Sequence, residues 1–247
     1  MRHEHELVAD QLLNIIREHS IKSVCDYGCA DGAVLELLYQ KAPSDVFFTG
    51  FDFFHDQNQM TKKNKDRLTF VDRKSEDFNM IRNEQNYDLV ILMHTVSHFN
   101  TPVTEMKNVL KFLKSGSYIY IVEIAYDKKT PSEIASYFGV FLEELHQELS
   151  DDYLTRHYTK EQLVDLLALE DLDLVFCDTE TYEAPKDETD KVTESLIKVY
   201  QDWHDSYNDA NEVKKSFMSQ MFKIEIELLK KYSYSASSRT KLLYKKK

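Results

Sequence analysis

Small residues and carboxylates are concentrated in one short stretch of the sequence, residues 24–38, which reads VCDYGCADGAVLELL. An apolar run ends at Asp26 and passes through Gly28, Ala30 and Gly32 into residues with helical spacing. Small residues let the backbone approach a ligand closely, and the unpaired amides at a helix N-terminus face that ligand. The chain has only five glycines and two lie here, which favours a ligand-binding loop over ordinary turns.

A second carboxylate, Asp52, follows another apolar run, residues 46–51, at about 20 residues from the loop, the usual distance to a ribose-binding acid. There it can accept both ribose hydroxyls of an adenosine, whereas in isolation it would be a strand-end cap. The loop and the acid together predict a nucleoside cofactor. They do not choose between cofactors, because Gly28-x-Ala30-x-x-Ala33 is also a degenerate dinucleotide fingerprint.

Two histidines four residues apart, His94 and His98, follow a third apolar run, residues 87–93. That spacing would place both on one face of a helix, as in a metal-binding pair, but no glutamate follows His94 and no third ligand is evident. No metal site is therefore predicted. The two histidines are expected to form the floor and rim of a ligand pocket, and the alternative is that one of them is a general base.

The elements that must position these residues alternate between strand-like apolar runs and segments with helical periodicity. Strands are predicted at residues 23–27, 46–51, 68–71, 87–93, 118–123, 172–179 and 240–244. Crossover segments are predicted at residues 33–40, 57–65, 79–85 and 103–113, and a helix precedes the first strand. This alternation indicates an α/β fold, a doubly wound, mostly parallel, seven-stranded Rossmann-like sheet with helices on both faces.

After the fifth strand the pattern becomes mainly helical. One apolar stripe contains Ile134, Tyr137, Phe138 and Phe141, and a second contains Phe217, Met221, Ile224 and Leu228. No linker rich in glycine or serine separates these segments from the rest. We therefore predict a single domain, residues 1–247, carrying helical insertions at residues 126–158 and 186–233 that form a lid and acceptor site or an interface between two copies.

Composition narrows the classes of partner. The formal net charge of −12 makes nucleic acid a poor candidate, because such a surface repels a phosphate backbone. Three scattered cysteines, Cys25, Cys29 and Cys177, are expected to be reduced thiols. No signal peptide is recognisable, and no run approaches the roughly 18 apolar residues of a membrane span. A cytoplasmic location without a membrane partner is the resulting prediction.

In these motifs the chain resembles the class I S-adenosylmethionine-dependent methyltransferases, particularly the small-molecule enzymes of the ubiquinone/menaquinone type. The resemblance covers about residues 20–180. The family's first motif, D-x-G-C-G-x-G, stands here as Asp26-Tyr27-Gly28-Cys29-Ala30-Asp31-Gly32, with Ala30 in place of the middle glycine. The resemblance implies that this loop holds S-adenosylmethionine, that Asp52 binds the ribose, and that Phe53 lies against the adenine.

Three further motifs follow in the family's order. The segment Lys74-Ser75-Glu76-Asp77-Phe78 has a lysine where the first acid is expected, so adenine contacts are assigned to Ser75, Glu76 and Asp77. The fourth motif spans residues 87–99 and implies that Met93 and His94 line the cofactor pocket. A turn at residues 111–117 precedes the fifth strand, with Ser115 in place of the more common proline.

The resemblance implies methyl transfer to an oxygen or nitrogen atom of a small molecule. Because the cofactor is already activated, few catalytic residues are expected, and the candidates for a general base are His98, His94 and His157. Three alternatives stay open. A short-chain dehydrogenase would use a Tyr-x-x-x-Lys pair, but Pro185 lies between Tyr182 and Lys186. A tRNA or protein methyltransferase shares the fold, and so does a subunit that binds S-adenosylmethionine without catalysis.

Overall fold

The computed structural model describes residues 2–53, 60–78, 86–125, 130–150, 155–168, 171–181, 186–207, 213–235 and 238–247. The predicted crossover at residues 79–85, the first part of the one at 57–65, and Tyr182 and Pro185 lie outside the described residues. All residues predicted to hold the cofactor or to act as a base lie within them.

The described strands are β1 (Ser23–Tyr27), β2 (Phe47–Asp52), β3 (Leu68–Asp72), β4 (Tyr87–Met93), β5 (Leu113–Ala125), β6 (Leu172–Thr181) and β7 (Ser238–Lys246). The described α-helices are α1 (Arg2–Glu18), α2 (Ala33–Lys41), α3 (Pro102–Val109), α4 (Pro131–Ser150), α5 (Lys160–Leu167), α6 (Lys186–Tyr207) and α7 (Val213–Tyr232). Short 3-10 helices span Val96–His98 and Leu110–Phe112. Every predicted strand is present, so the predicted Rossmann-like α/β architecture is confirmed.

The seven strands form one sheet in the order β3-β2-β1-β4-β5-β7-β6. The pairings β1–β2, β1–β4, β2–β3 and β4–β5 are all parallel. The chain order reverses between β1 and β4, and ligands of open α/β sheets bind outside the carboxyl ends of the strands at such a switch point. The register places Tyr27 beside Phe51, and Asp52 beside Asp72, at this carboxyl edge.

The fifth strand begins earlier in the sequence than the predicted residue 118. A turn was expected through residue 117, but β5 begins at Leu113, which pairs with Tyr87. The register then shifts, and Tyr118 pairs with Leu89. Gly116 has φ 83°, so the four residues between these pairs form a local irregularity in the strand and not a separate turn.

Contacts divide the chain into two compact units. The first comprises residues 1–123, 166–178 and 241–247, and the second comprises residues 124–165 and 179–240. The main core of the first unit joins α1 and α2 to the sheet through buried Leu12, Ile16, Leu35 and Leu38. Each such side chain contributes about 1.5–3 kcal/mol by burial.

The second unit contains α4, α6 and α7, whose core includes Leu142, Tyr200, Phe222 and Leu229. The predicted insertions, residues 126–158 and 186–233, both lie in this unit. Their apolar stripes are only partly buried: Phe138 and Met221 pack against the core, whereas Ile134, Phe141, Phe217 and Ile224 are each between 46% and 52% exposed. Within the described part of the chain, no helix combines the length and apolarity needed to cross a bilayer.

Candidate functional site

The loop after β1 depends on its glycines for two reasons. Gly28 and Gly32 have φ values of 91° and 77°, which side-chain-bearing residues rarely adopt. A Cβ at Gly28 would also collide with the Thr95 side chain, and one at Gly32 with the ring of Phe70. The glycines are thus required by the protein's own packing, whereas Ala30, with φ 48°, accepts a left-handed conformation despite its methyl group.

Asp52 joins the end of β2 to this loop. Its Oδ2 accepts a hydrogen bond from the Ala30 amide at 2.6 Å, and its Oδ1 accepts one from the Phe53 amide at 2.6 Å. Each carboxylate oxygen can accept a further hydrogen bond, because it has two lone pairs. The structure therefore places the predicted ribose-binding acid directly against the predicted cofactor loop.

Asp26, near the end of β1, is a buried carboxyl group. Its Oδ1 has no hydrogen-bond partner among the described residues. Burial, and secondarily the charge of Asp52, raises the pKa of Asp26 to about 7. A cation beside Asp26 would favour its charged form, so this part of the carboxyl edge is suited to a positively charged ligand.

The end of β4 carries His94, whose backbone is in the left-handed region at φ 51°. Its Nε2 lies 3.0 Å from Oε1 of Glu4 in the first turns of α1, and its Nδ1 is buried with no partner among the described residues. Glu4 comes from the far end of the sequence, so this contact fixes the imidazole through an element outside the recognised motifs.

Glu123, in β5, supports the turn that follows His94. Its buried carboxylate accepts hydrogen bonds from the amides of Val96 at 2.6 Å and Ser97 at 3.2 Å. Burial raises the pKa of Glu123, and the nearby His94 opposes that shift. The short helix Val96–His98 is thereby capped by a side chain from the neighbouring strand.

A family model described as a methyltransferase domain matches residues 1–175 of the 247-residue chain. The chain belongs to this methyltransferase family. The prediction of a class I S-adenosylmethionine-dependent methyltransferase is thus confirmed, and with it the class of enzyme and the cofactor. The closer similarity to ubiquinone-type enzymes stays a prediction. No curated protein matches the sequence.

Solved structures share the fold at low sequence identity. A cyclopropane-fatty-acyl-phospholipid synthase-like protein from Lactobacillus casei has a TM-score of 0.66 and 14% identity, with 96% of this chain and 90% of that chain covered. Coclaurine N-methyltransferase, bound to N-methylheliamine and SAH, has a TM-score of 0.53 and 12% identity, covering 96% and 70%. The plantazolicin methyltransferase BpumL, in complex with SAH, has a TM-score of 0.54 and 17% identity, covering 100% and 85%.

Most of the residues predicted for the methyltransferase site lie at the ends of β1 to β4, in the first unit. These are Asp26, Tyr27, Gly28, Cys29, Ala30, Gly32, Asp52, Phe53, Ser75, Glu76, Asp77, Met93, His94 and His98. His157 belongs to the second unit, where its Nδ1 lies 2.9 Å from Oε1 of Glu144.

Several of these side chains have structural partners of their own. Tyr27 and Cys29 are buried, and a Cβ on Gly50 would meet the Cys29 sulfur at 2.7 Å. Ser75 donates a hydrogen bond to the Asp72 carbonyl at 2.6 Å and accepts one from the Phe78 amide at 3.2 Å. Burial raises the pKa of Cys29, so its thiol stays protonated. Backbone atoms, not these side chains, are therefore left to contact a cofactor.

The neighbouring acids of the third motif and the two histidines differ in exposure. Glu76, Asp77 and His98 are exposed, whereas Met93 and His94 are partly buried. Among the described residues, no group of three or more His, Cys, Asp or Glu side chains is arranged to hold a metal ion.

The sequence did not predict three residues at the carboxyl edge of the sheet. Glu4 and Glu123 contact the turn after β4, and Arg73, the first residue after β3, packs against Phe53. None of the three lies in a recognisable pattern. The only sequence signal is that Arg73 directly follows a predicted strand, at the edge where ligands bind.

Proposed function

We propose that the enzyme transfers the methyl group of S-adenosylmethionine to an oxygen or nitrogen atom of a small molecule. The main support is the arrangement of the Asp52 carboxylate, which bonds to the Ala30 amide and so brings the ribose-binding acid beside the loop. The buried acid Asp26, whose pKa is raised to about 7, gains its negative charge most readily beside a cation, which suits the ammonium and sulfonium groups of this cofactor.

The cofactor supplies an already activated methyl group, so the chain's own residues have to bind, orient and exclude water. Backbone amides of the loop and Asp52 hold the nucleoside in this proposal, and Phe53 lies beside the adenine. For a hydroxyl acceptor, a base within hydrogen-bond reach removes its proton. We rank His98 first because it is exposed in the first unit, and we retain His94 and His157 as the other candidates.

The acceptor in our proposal is aromatic or partly apolar. The half-exposed Ile134 and Phe141 of α4, and Phe217 and Ile224 of α7, provide apolar surface that the second unit's own core does not use. Among the proteins that share the fold, coclaurine N-methyltransferase is bound to N-methylheliamine, and the plantazolicin methyltransferase BpumL is in complex with a monoazolic desmethylPZN analog. We therefore retain the view of one domain with insertions that form the acceptor site.

Charge and composition support the same choice. The net charge of −12 disfavours tRNA as the acceptor, and the described cysteines are free thiols, as expected for a cytoplasmic protein. A protein acceptor, a homodimer formed through the apolar stripes, and a cofactor-binding subunit without turnover remain the alternatives. Turnover with any small acceptor would exclude the last of these.

Isothermal titration calorimetry tests the cofactor assignment. We expect S-adenosylmethionine and S-adenosylhomocysteine to bind with micromolar dissociation constants, about 8 kcal/mol of binding free energy, and NAD not to bind. The ribose and adenine are common to all three ligands, so selectivity has to come from the methionine end. Binding of NAD together with no binding of S-adenosylmethionine would reject the proposal.

Substitutions in the exposed stripe test the acceptor site. Deleting residues 191–231 would remove the buried core residues Tyr200 and Phe222, so point changes are preferable. The double variant Phe217→Ser/Ile224→Ser is expected to lower turnover with a panel of phenols and aromatic amines, while cofactor affinity stays within about tenfold, or about 1.4 kcal/mol. The assay is release of S-adenosylhomocysteine.

The same variant separates acceptor binding from self-association. Lys223→Ser, at an exposed position between the two substituted residues, is the matched control and is expected to keep full turnover. A double variant that remains fully active, yet changes from dimer to monomer in light scattering, would assign the stripe to an interface instead.

A further inference from the structure

The side chain of Arg73 lies between aromatic rings at the carboxyl edge of the sheet. Its guanidinium carbon is 4.2 Å from the ring centroid of Tyr27 and 4.3 Å from that of Phe53. Its Nη2 donates a hydrogen bond to the Tyr27 hydroxyl at 2.5 Å. The backbone amide of Arg73 donates to the Asp52 carbonyl at 2.8 Å, which ties the end of β3 to the residue preceding Phe53.

The charge of this guanidinium is compensated in an unusual way. Within the described part of the chain, the buried Nε of Arg73 has no hydrogen-bond partner. The faces of Tyr27 and Phe53 are therefore its principal electrostatic partners, and a guanidinium stacks on such faces better than an ammonium does. A cation that stacks between two rings, and donates a hydrogen bond to the hydroxyl of one of them, stabilises the positions of those rings in return.

The two rings that contact Arg73 differ in how far the protein core already fixes their positions. Tyr27 is buried, so Arg73 adds to a ring that the core already fixes. Phe53 is 48% exposed and follows Asp52, whose carboxylate contacts the cofactor loop. An exposed phenylalanine gains most from a partner that fixes its orientation, because it otherwise loses that freedom when a ligand binds.

We propose that Arg73 is a positioning residue of the adenine subsite: it fixes the ring of Phe53, and the remaining exposed surface of that ring receives the adenine. This inference rests on the proposed cofactor site. Arg73 contributes to cofactor affinity without touching the cofactor, since it restricts Phe53 before binding.

Lys74 provides a matched control. Its ammonium lies 5.8 Å from the Phe53 centroid, at the limit of a cation–π contact, and its side chain is exposed. Removing Lys74 takes away one positive charge from the same neighbourhood and leaves the stacked guanidinium in place. A purely electrostatic effect on the cofactor would therefore be similar for Lys74→Met and Arg73→Met.

Calorimetric binding of S-adenosylhomocysteine is measured for the wild type, Arg73→Met, Lys74→Met, Phe53→Leu and the Arg73→Met/Phe53→Leu double variant. We expect Arg73→Met to weaken binding about fivefold to tenfold, and Lys74→Met to change it less than about twofold. The double variant is expected to bind no more weakly than Phe53→Leu alone, because Arg73 acts through that ring.

A second ligand identifies the part of the cofactor affected. 5′-Methylthioadenosine carries the adenine without the amino acid group, so Arg73→Met is expected to weaken its binding by the same factor. Should Arg73→Met fail to fold, as judged by circular dichroism, Arg73→Lys replaces it and is expected to give a smaller loss in the same direction. Unchanged affinity in the arginine variants, or losses that multiply in the double variant, would overturn the inference. Failure of the wild type to bind S-adenosylhomocysteine would reject the cofactor site itself.

Discussion

Asp52→Ala is expected to weaken binding of S-adenosylmethionine by about 1.5–3 kcal/mol, or roughly 10-fold to 150-fold. The carboxylate accepts amide hydrogen bonds from Ala30 and Phe53 and has lone pairs left for ribose hydroxyls. Removing the carboxylate therefore removes the acceptor for the ribose hydroxyls and also the hydrogen bond that holds the loop at Ala30. Titration calorimetry of the variant against the wild type measures the loss.

Two controls separate these effects. Asp52→Asn retains one acceptor oxygen, so its loss is expected to be smaller than that of alanine. Asp66→Ala removes an exposed acid that is bonded to Tyr39 and lies just before β3, at the opposite edge of the sheet, and is expected to leave affinity unchanged. An Asp52→Ala protein with wild-type affinity would transfer the ribose to another acid.

Glu225→Gln is expected to make the second unit less sensitive to alkaline pH. Glu225 is fully buried in α7, neither carboxylate oxygen has a partner among the described residues, and burial raises its pKa from 4.5 to about 8. Below pH 4.5 the carboxyl is protonated in both folded and unfolded states. Between pH 4.5 and 8 only the unfolded state releases the proton, so the free energy of unfolding falls as the pH rises.

The expected cost to the wild type at pH 8, relative to pH 4.5, is about 3–5 kcal/mol, and glutamine does not incur it. Urea unfolding at pH 5 and pH 8, followed by the fluorescence of Trp203, measures this difference in stability. Trp203 is the single tryptophan; it lies in α6, and its ring centroid is 5.4 Å from that of Phe222. Glu227→Gln, on the exposed side of α7, is the matched control. A stability difference between wild type and Glu225→Gln that is the same at both pH values would contradict the assignment.

The strands of the first unit were the most predictable part of the fold. β1 and β4 begin and end at the predicted residues because they are almost entirely buried, and a buried strand is a continuous apolar run. The start of β5 was not predictable. The polar residues after Leu113, together with Gly116, indicate a turn. Leu113 nevertheless belongs to the strand because it pairs with Tyr87, a residue distant in sequence.

The helical unit shows a different limit of periodicity. α7 has two apolar stripes, one with Phe217 and Ile224 and one with Phe222 and Ile226. The structure buries the second and leaves the first half-exposed. When two faces of a helix are apolar, the hydrophobic pattern predicts the helix but cannot choose the buried face, since that depends on the partner helices.

The site divides in the same way. Gly28 follows from the spacing within one motif, and Asp52 follows from its distance to that motif along the sequence. Glu4 and Glu123 act on the turn after β4 from far away in sequence, and only the folded chain brings them there. The role of the glycines in a ligand-binding loop stays a prediction, and the structure adds that their Cβ positions are blocked by Thr95 and Phe70.

The position of β7 has a consequence for synthesis on the ribosome. β7 lies between β5 and β6, although it is the last strand in chain order, so β6 has no neighbour in the sheet until residues 238–246 have been made. The parallel strands β1 to β5, whose carboxyl edge holds most of the residues predicted to bind the cofactor, can assemble first. Until then β6 presents an unpaired apolar segment, which contains Leu174, Val175 and Phe176. Nascent chains aggregate through such segments, and chaperones bind them. Translation speed between β6 and β7 is thus expected to govern the yield of native enzyme.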